Sequence, residues 1–195
     1  MNKTRLLAIL AAPALLAGCI SFGAKPPPSL LVLTPQTLMA AGQSRTAGAG
    51  EAVTITVPTV PASLANTRLL VQSDDTNIAY LDKAQWVDTP ARLFQQLLSE
   101  TVAAKTGRVV LDTRQFSFDP GLRVTGEISR FGLDARTMEA VVTYDAAKAG
   151  PDTRVEERRF EARVPVAAMD SAAAGIALNE AANKVANDVA GWIGG

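Results

Sequence analysis

The chain has 195 residues, of which 48% are apolar, and its 19 basic and 19 acidic residues cancel. This length suits one domain with a leader, and a chain without net charge lacks the field that concentrates proteins on nucleic acid, so we expect no nucleic-acid partner. With no histidine and one cysteine, the sequence excludes an internal disulfide and the usual structural zinc site. We expect neither a metal site nor a cofactor.

The N-terminus has the three-part layout of an export signal. Lys3 and Arg5 form a short basic region, and the apolar run 6–17 follows. This run is too short to cross a bilayer, which requires about 20 residues. It instead fits the apolar region of a signal peptide, which a small-residue cleavage site should follow.

Residues 16–19, Leu-Ala-Gly-Cys, resemble the lipobox of bacterial lipoprotein signals. The resemblance implies that residues 1–18 are removed, that diacylglycerol is attached to the sulfur of Cys19, and that usually a further acyl chain, such as palmitate, is attached to its amino group. Two or three acyl chains anchor a protein stably. Ile20 at the next position favours sorting to the outer membrane. The alternative is a buried core cysteine.

Behind Cys19, the segment 19–29 contains three consecutive prolines, which favour an extended spacer. We interpret this segment as a lipidated tether and residues 30–195 as a single periplasmic domain. Loss of Lys3 and Arg5 with the signal leaves 17 basic and 19 acidic residues. The mature protein therefore carries no basic excess.

The first half of the domain contains short strand candidates. Apolar residues at 30–34 and the alternation at 52–57 predict two strands, and the polar segment between them, 35–50, predicts a mobile loop. Two further candidates, 68–72 and 77–81, flank a polar turn and predict a β-hairpin. Asp74 and Asp75 in that turn could form a metal or acid/base pair, but turn chemistry is the favoured explanation.

The first helix has clear boundary signals. Thr89 is a candidate cap, Pro90 suits the first turn, and Gly107 suits the end of the helix. The apolar stripe between them indicates packing on a sheet. Its members are Leu93, Phe94, Leu97, Leu98, Thr101 and Val102.

After a brief strand at 109–111, three longer strand candidates and a final helix follow. The alternating apolar positions are Leu122, Val124, Gly126 and Ile128; Met138, Ala140, Val142 and Tyr144; and Phe160, Ala162, Val164 and Val166. Turn residues at 133–136 and 149–152 between them predict an antiparallel meander. These apolar faces fit either a packed core or the lining of an inner cavity.

Two features near the C-terminus allow more than one interpretation. The charged run Glu156–Arg159 could be a binding edge, although a solvated or aggregation-blocking sheet edge is favoured. The final helix starts at Asp170 or Ser171 and carries an apolar stripe that includes Trp192, which fits a core residue better than an oligomer contact. The other members of that stripe are Leu178, Ala182, Val185 and Val189.

The order of elements is strands, helix, strands, helix. We therefore predict an α+β fold with a mainly antiparallel sheet and two helices packed on one face. A nucleophilic Gly-x-Ser-x-Gly elbow and a phosphate-binding loop are both absent from the sequence. We predict a protein that is not an enzyme and has no catalytic residues.

Several segments resemble the ABC-type transport auxiliary lipoproteins of the PqiC-like family. They are the opening strand 31–35, the stretch Val57–Leu64, the Trp86 to Pro90 approach to the first helix, the strand Val124–Phe131 and the alanine-rich final helix. The likeness spans about residues 30–193. Their order and spacing carry the resemblance, since each segment alone has low specificity.

The resemblance implies an outer-membrane-anchored periplasmic accessory of a lipid transport system. Its partners would be the membrane, through acylated Cys19, an MCE-domain protein attached to an ABC transporter, and further copies of itself in a homo-oligomer. It leaves open whether a phospholipid binds the domain directly. The alternative is a structural or assembly lipoprotein of an outer-membrane complex, and an exported hydrolase is a third, poorly supported class.

Overall fold

The computed structural model describes residues 29–112, 121–150 and 154–194. The signal peptide, Cys19, residues 20–28 of the tether and residues 151 and 152 of the predicted turn at 149–152 lie outside this part of the chain. The described part has an α+β fold in the predicted order of strands, helix, strands, helix. Its elements are β1 (Val53–Ile55), β2 (Arg68–Gln72), β3 (Ile78–Gln85), α1 (Pro90–Thr106), β4 (Val110–Leu111), β5 (Leu122–Asp134), β6 (Glu139–Ala149), β7 (Val155–Pro165) and α2 (Ser171–Gly194).

The seven described strands form one mixed sheet, which corrects the prediction of a mainly antiparallel one. The β2–β3 hairpin and the β5–β6–β7 meander are antiparallel as expected. However, β1 pairs in parallel with β4 and β5, and β2 pairs in parallel with β5. Half of the six pairings between these strands are therefore parallel.

Strand β5 causes this arrangement because its 13 residues are long enough to pair with two short strands along one edge. Residues 122–124 pair with β1, residues 132–134 pair with β2, and the whole opposite edge pairs with β6. The chain reaches β5 from β2 through β3, α1 and β4. Such a crossover returns the chain in the same direction and gives parallel neighbours.

Both helices pack on one face of the sheet, as aromatic contacts show. Tyr144 and Phe160 are cross-strand partners and so lie on the same face. The ring of Phe94 from α1 lies 5.1 Å from that of Tyr144, and the ring of Trp192 from α2 lies 5.5 Å from that of Phe160. The apolar faces of β5, β6 and β7 are thus buried in a packed core beneath the helices.

The helix boundary signals are confirmed with one difference. Gly107 adopts the left-handed conformation with φ of 71° and ends α1. Thr89 occupies the cap position, although its side chain makes no capping hydrogen bond. Of the two candidates at the start of α2, Asp170 is the cap, because its carboxylate accepts a hydrogen bond of 2.9 Å from the backbone N–H of Ala173.

Three strand predictions require correction. The stretch 30–34 contains no regular strand, since Leu31 alone forms a bridge, with Trp86. The turn predicted at 133–136 lies at 135–138, because a register shift between Ile128 and Arg130 keeps Phe131 and Leu133 on the buried face and extends β5. Met138 falls in that turn with positive φ and is exposed, so it does not share the buried face of β6.

Candidate functional site

A groove with a volume of about 1070 Å³ lies along the outer side of α1. We call it the α1 groove. Its other walls are the irregular segment 33–45 and the ends of β1 and β4. The lining residues are Leu33, Pro35, Leu38, Met39, Arg45, Ile55, Val57, Arg92, Gln95, Gln96, Leu97, Ser99, Glu100, Ala103, Arg108, Val109, Val110, Leu111 and Asp112.

Helix α1 is amphipathic, and its polar face forms one wall of the groove. Residues 92, 95, 96, 99, 100 and 103 line the groove at the three- and four-residue intervals that place side chains on one face of a helix. The apolar stripe predicted for α1 is buried in the core. The same periodicity that fixes the helix on the sheet therefore presents polar groups to the groove.

Arg45 holds the opposite wall against the C-terminal end of α1. Its guanidinium donates hydrogen bonds to the backbone carbonyl of Ala103 and, at 3.3 Å, to that of Arg108. The last carbonyls of a helix lack partners within the helix and attract cations. Segment 35–50 has no regular secondary structure, as predicted, and Arg45 joins it to the helix end at this point.

A second contact joins the helix to the sheet at the floor of the groove. The side-chain amide of Gln95 donates hydrogen bonds of 3.3 Å to the backbone carbonyl of Ile55 and to the hydroxyl of Ser99. Ile55 is the last residue of β1. Thus a hydrogen bond joins α1, which forms the polar wall of the groove, to the end of β1. That strand end contributes Ile55 to the apolar floor of the groove.

The groove combines aliphatic surface with arginines that form no ion pair with another described residue. Arg45, Arg92 and Arg108 take part in none of the ion pairs between described residues. The two carboxylates in the lining are Glu100 and Asp112. The chemistry of the groove therefore suits a ligand with an apolar part and an anionic group.

The acidic pair in the β2–β3 hairpin has a structural role. The carboxylate of Asp74 accepts hydrogen bonds of 2.8 Å from the backbone N–H groups of Thr76 and Asn77. The bond from the backbone of Thr76 first, and then one from the side-chain amide of Asn77, lower the pKa of Asp74 to about 2. Asp75 pairs with Arg136. Turn chemistry is thus the correct interpretation, and the described residues contain no cluster of three or more potential metal ligands.

The charged run 156–159 lies on β7, which pairs with β6 alone among the described strands. Glu156 accepts a hydrogen bond of 2.6 Å from the indole N–H of Trp192 and pairs with Lys148 at 3.2 Å. Both contacts, that from Trp192 first, lower the pKa of Glu156. Arg159 pairs with Asp145 at 2.6 Å. These charges occupy a sheet edge, in line with the favoured interpretation of the run.

Trp192 belongs to the core rather than to an exposed contact surface. It is buried, and its ring lies against Phe160 and 4.4 Å from the ammonium group of Lys148. The rest of the predicted stripe of α2, from Leu178 to Val189, is buried as well. Within the described residues, neither helix is long and apolar enough to span a membrane.

Comparison with known proteins identifies the family. Residues 33–190 match the model of the family described as an ABC-type transport auxiliary lipoprotein component. The chain belongs to this family. As a lipoprotein of the family, it is anchored to a membrane of the cell envelope. Among curated protein sequences, none matches the chain.

Two solved structures show that this family member shares its fold with other proteins. A Xanthomonas campestris protein superimposes with a TM-score of 0.71 at 16% identity, covering 85% of this chain and 94% of its own. An uncharacterized protein superimposes with a TM-score of 0.66 at 12% identity, covering 85% of this chain and 99% of its own. At these identities the likeness establishes the fold alone.

Sequence reasoning missed the α1 groove. The polar face of α1 was visible in the helical periodicity, since the polar residues at positions 92, 95, 96, 99 and 100 fall between the members of the apolar stripe. Arg45 and Arg108 gave no such signal, because they lie 63 positions apart and only the fold brings them to one groove. Cys19, the lipid attachment residue predicted from the lipobox, lies outside the described residues and remains a prediction.

Proposed function

We propose that this protein is an outer-membrane-anchored periplasmic lipoprotein that serves as the docking and binding component of an MCE-linked ABC-type lipid transport system. The observation that carries this proposal is the family match over residues 33–190 in a chain whose positions 16–19 resemble a lipobox. Ile20 supports the outer membrane as its location. The protein binds and hands over ligands, and it catalyses no reaction.

The α1 groove supports a binding role. Aliphatic side chains such as Leu38 and Val57 are exposed there, next to the arginines at positions 45, 92 and 108. A phospholipid would place an acyl chain on the aliphatic surface and its phosphate near the guanidinium groups, which bind phosphate strongly. We therefore assign the phospholipid, the ligand left open by the sequence, to the α1 groove.

Affinity capture of the acylated full-length protein from mildly solubilised envelopes tests the docking role. We expect an MCE-domain protein and its ABC permease to be recovered with it. Recovery of outer-membrane assembly proteins instead would favour the alternative of a structural or assembly lipoprotein. A neighbouring gene set that encodes a permease, an ATPase and an MCE protein would support the transport role independently.

A pair of variants on α1 tests the groove. Arg92→Ala removes a groove charge, and Lys105→Ala removes an exposed charge from the last turn of the same helix outside the groove lining. We expect Arg92→Ala to reduce the amount of co-purifying phospholipid about fivefold, as for a contact worth about 1 kcal/mol. Lys105→Ala should leave it unchanged. Equal lipid content in both variants would contradict the assignment.

A further inference from the structure

The described structure begins at the point where the predicted tether joins the domain, and exposed aliphatic residues lie there. Leu30 is 47% exposed, Val32 is 55% exposed and Val87 is 52% exposed. We call these three residues the tether-side patch. We propose that the tether-side patch rests on the lipid surface to which the protein is anchored, so that it fixes the orientation of the domain.

The backbone pairing places the three residues on one face. Leu31 and Trp86 form a parallel bridge, in which Leu31 donates to the carbonyl of Gln85 at 2.7 Å and Val87 donates to the carbonyl of Leu31 at 2.9 Å. Residues paired in this way share a face, and their neighbours along each strand point the other way. Leu31 and Trp86 point inward, so Leu30, Val32 and Val87 point outward together.

The segment that carries the patch is held firmly on the domain. Leu31 packs on α2 at Gly175, where an added Cβ would lie 2.8 Å from the Cδ2 atom of Leu31. Asn183 is buried, and its side-chain amide donates to the carbonyl of Thr34 at 2.9 Å and accepts from the N–H of Gln36 at 2.9 Å. The patch is therefore presented on a fixed surface rather than on a free terminus.

The choice of a lipid surface as the partner follows from the chain outside the structure. This step rests on the proposed function, specifically on acylation of Cys19. Ser29 lies ten positions after Cys19, and a chain of that length reaches at most about 35 Å. Because the tether is this short, binding of the domain to the bilayer is an intramolecular event, and the effective concentration of the lipid surface at the domain is millimolar. At such a concentration, even a patch of three aliphatic side chains can bind the lipid surface.

The charges around the patch suit a lipid headgroup region. Arg68 pairs in register with Gln85, and its exposed guanidinium lies 4.0 Å from the centre of the Tyr80 ring. It forms none of the ion pairs between described residues. The neighbouring carboxylate, Asp88, accepts a hydrogen bond of 2.6 Å from the backbone of Thr89. An aromatic ring with a cation beside aliphatic residues is typical of surfaces at a membrane interface.

Site-specific quenching tests the proposal on the acylated full-length protein. The one native cysteine is consumed by acylation, so a new cysteine can be labelled alone with a fluorescent probe. We would label Val32→Cys and, as a matched exposed valine, Val155→Cys on β7 at the far edge of the sheet. Each protein is reconstituted into phosphatidylethanolamine–phosphatidylglycerol vesicles that carry a nitroxide on the lipid.

We expect the lipid nitroxide to quench the probe at position 32 and to leave the probe at position 155 bright. Adding Val87→Asp should reduce the quenching at position 32. Equal quenching at both positions, or none at either, in a protein whose mass shows the acyl chains would overturn the patch while leaving the proposed function intact. If the probe at position 32 is protected from quenching at high protein-to-lipid ratio and becomes quenched only when that ratio is lowered, the patch would be assigned to a second copy and the proposal would also be overturned. A mass without acyl chains would refute the anchor and the patch together.

Discussion

At the residue scale, Gly107 shows how a single position ends an element. It follows α1 with φ of 71°, a conformation that is costly for residues with a Cβ. A Cβ at this position would have open space around it, so the cost of a substitution is conformational and not steric.

Replacing this glycine separates the backbone effect from side-chain packing. Gly107→Ala should lower the free energy of unfolding by about 1–2 kcal/mol. Gly191→Ala is the matched control, since Gly191 lies inside α2 and an added Cβ there would also meet nothing. Because alanine favours helix, that control should raise the free energy of unfolding by up to about 1 kcal/mol. Urea denaturation measures both, and equal midpoints would contradict the argument.

Asp134, at the end of β5, is a buried carboxylate held by arginines. Burial alone would raise its pKa, but hydrogen bonds from the backbone N–H of Arg136 and from the guanidinium of Arg130 outweigh burial and lower the pKa of Asp134. The Arg130 contact measures 3.2 Å. The structure therefore favours the ionised form of this side chain.

This shift predicts a pH dependence of stability. Because the folded pKa of Asp134 lies below the unfolded value of 3.8, its ionised carboxylate stabilises the fold above about pH 4, and the contribution is lost as the pH falls further. Asp134→Asn should cost about 1–3 kcal/mol at pH 7 and less near pH 2. Asp82→Asn, at a side chain that is 89% exposed, is the control and should cost little at either pH. A cost that does not vary with pH would refute this account.

At the element scale, β7 is an edge strand whose outward side chains are charged. Acidic and basic side chains alternate along its outer face, opposite the buried Phe160, Ala162 and Val164. These charged residues are Glu157, Arg159, Glu161 and Arg163. An edge strand offers unpaired backbone groups to other chains, and charges along it prevent such pairing. The charged run at 156–159 thus prevents this edge from pairing with other chains. Two of its members, Glu156 and Arg159, also stabilise the β6–β7 pair.

Removing charge from this edge should promote association. We expect the double variant Glu157→Val/Arg159→Val to aggregate with increasing protein concentration, measured by light scattering, because a flat apolar edge becomes available. Losing the exposed pair of Arg159 with Asp145 should itself cost less than about 1 kcal/mol. Glu180→Val/Lys184→Val removes an exposed ion pair from α2 instead and is the matched control. Equal scattering by both variants would show that edge charge does not protect the protein.

At the scale of the whole molecule, the lipid anchor and the folded domain are separable. All the described elements share one core, and Cys19 lies ten residues before the first described residue. Removing the acyl chains should therefore leave the domain folded but displaced from its membrane. This expectation distinguishes an anchor from the alternative of a buried core cysteine.

Cys19→Ala tests this separation directly. We expect the variant to keep residues 1–18 or to leave the membrane fraction, with an unchanged circular dichroism spectrum. Fractionation and mass measurement of the mature chain provide the result. Normal membrane fractionation with loss of residues 1–18 would refute the lipobox interpretation, and loss of the folded spectrum would instead indicate a structural cysteine.

The sequence by itself determined the local elements. Gly107 marks the end of the first helix, and Asp170 or Ser171 marks the start of the last one. The hairpin of strands 68–72 and 77–81 and the three-stranded meander follow from alternation and turn residues, and the buried stripes of both helices follow from their periodicity. These features depend on interactions between residues close in sequence, which patterns record directly. The family resemblance was visible for the same reason, through the order of such local segments.

Only the tertiary structure decided which strands lie side by side, namely that β1 and β2 pair in parallel with β5. It also brings Arg45 and Arg108 together at the α1 groove. In the same way it places Val87 beside Leu30 and Val32 in the tether-side patch. Each joins residues that are tens of positions apart. Their periodicity is compatible with several partners, because alternation specifies which face is buried but not which strand lies alongside. The choice is made when one core buries both helices and all the strand faces together.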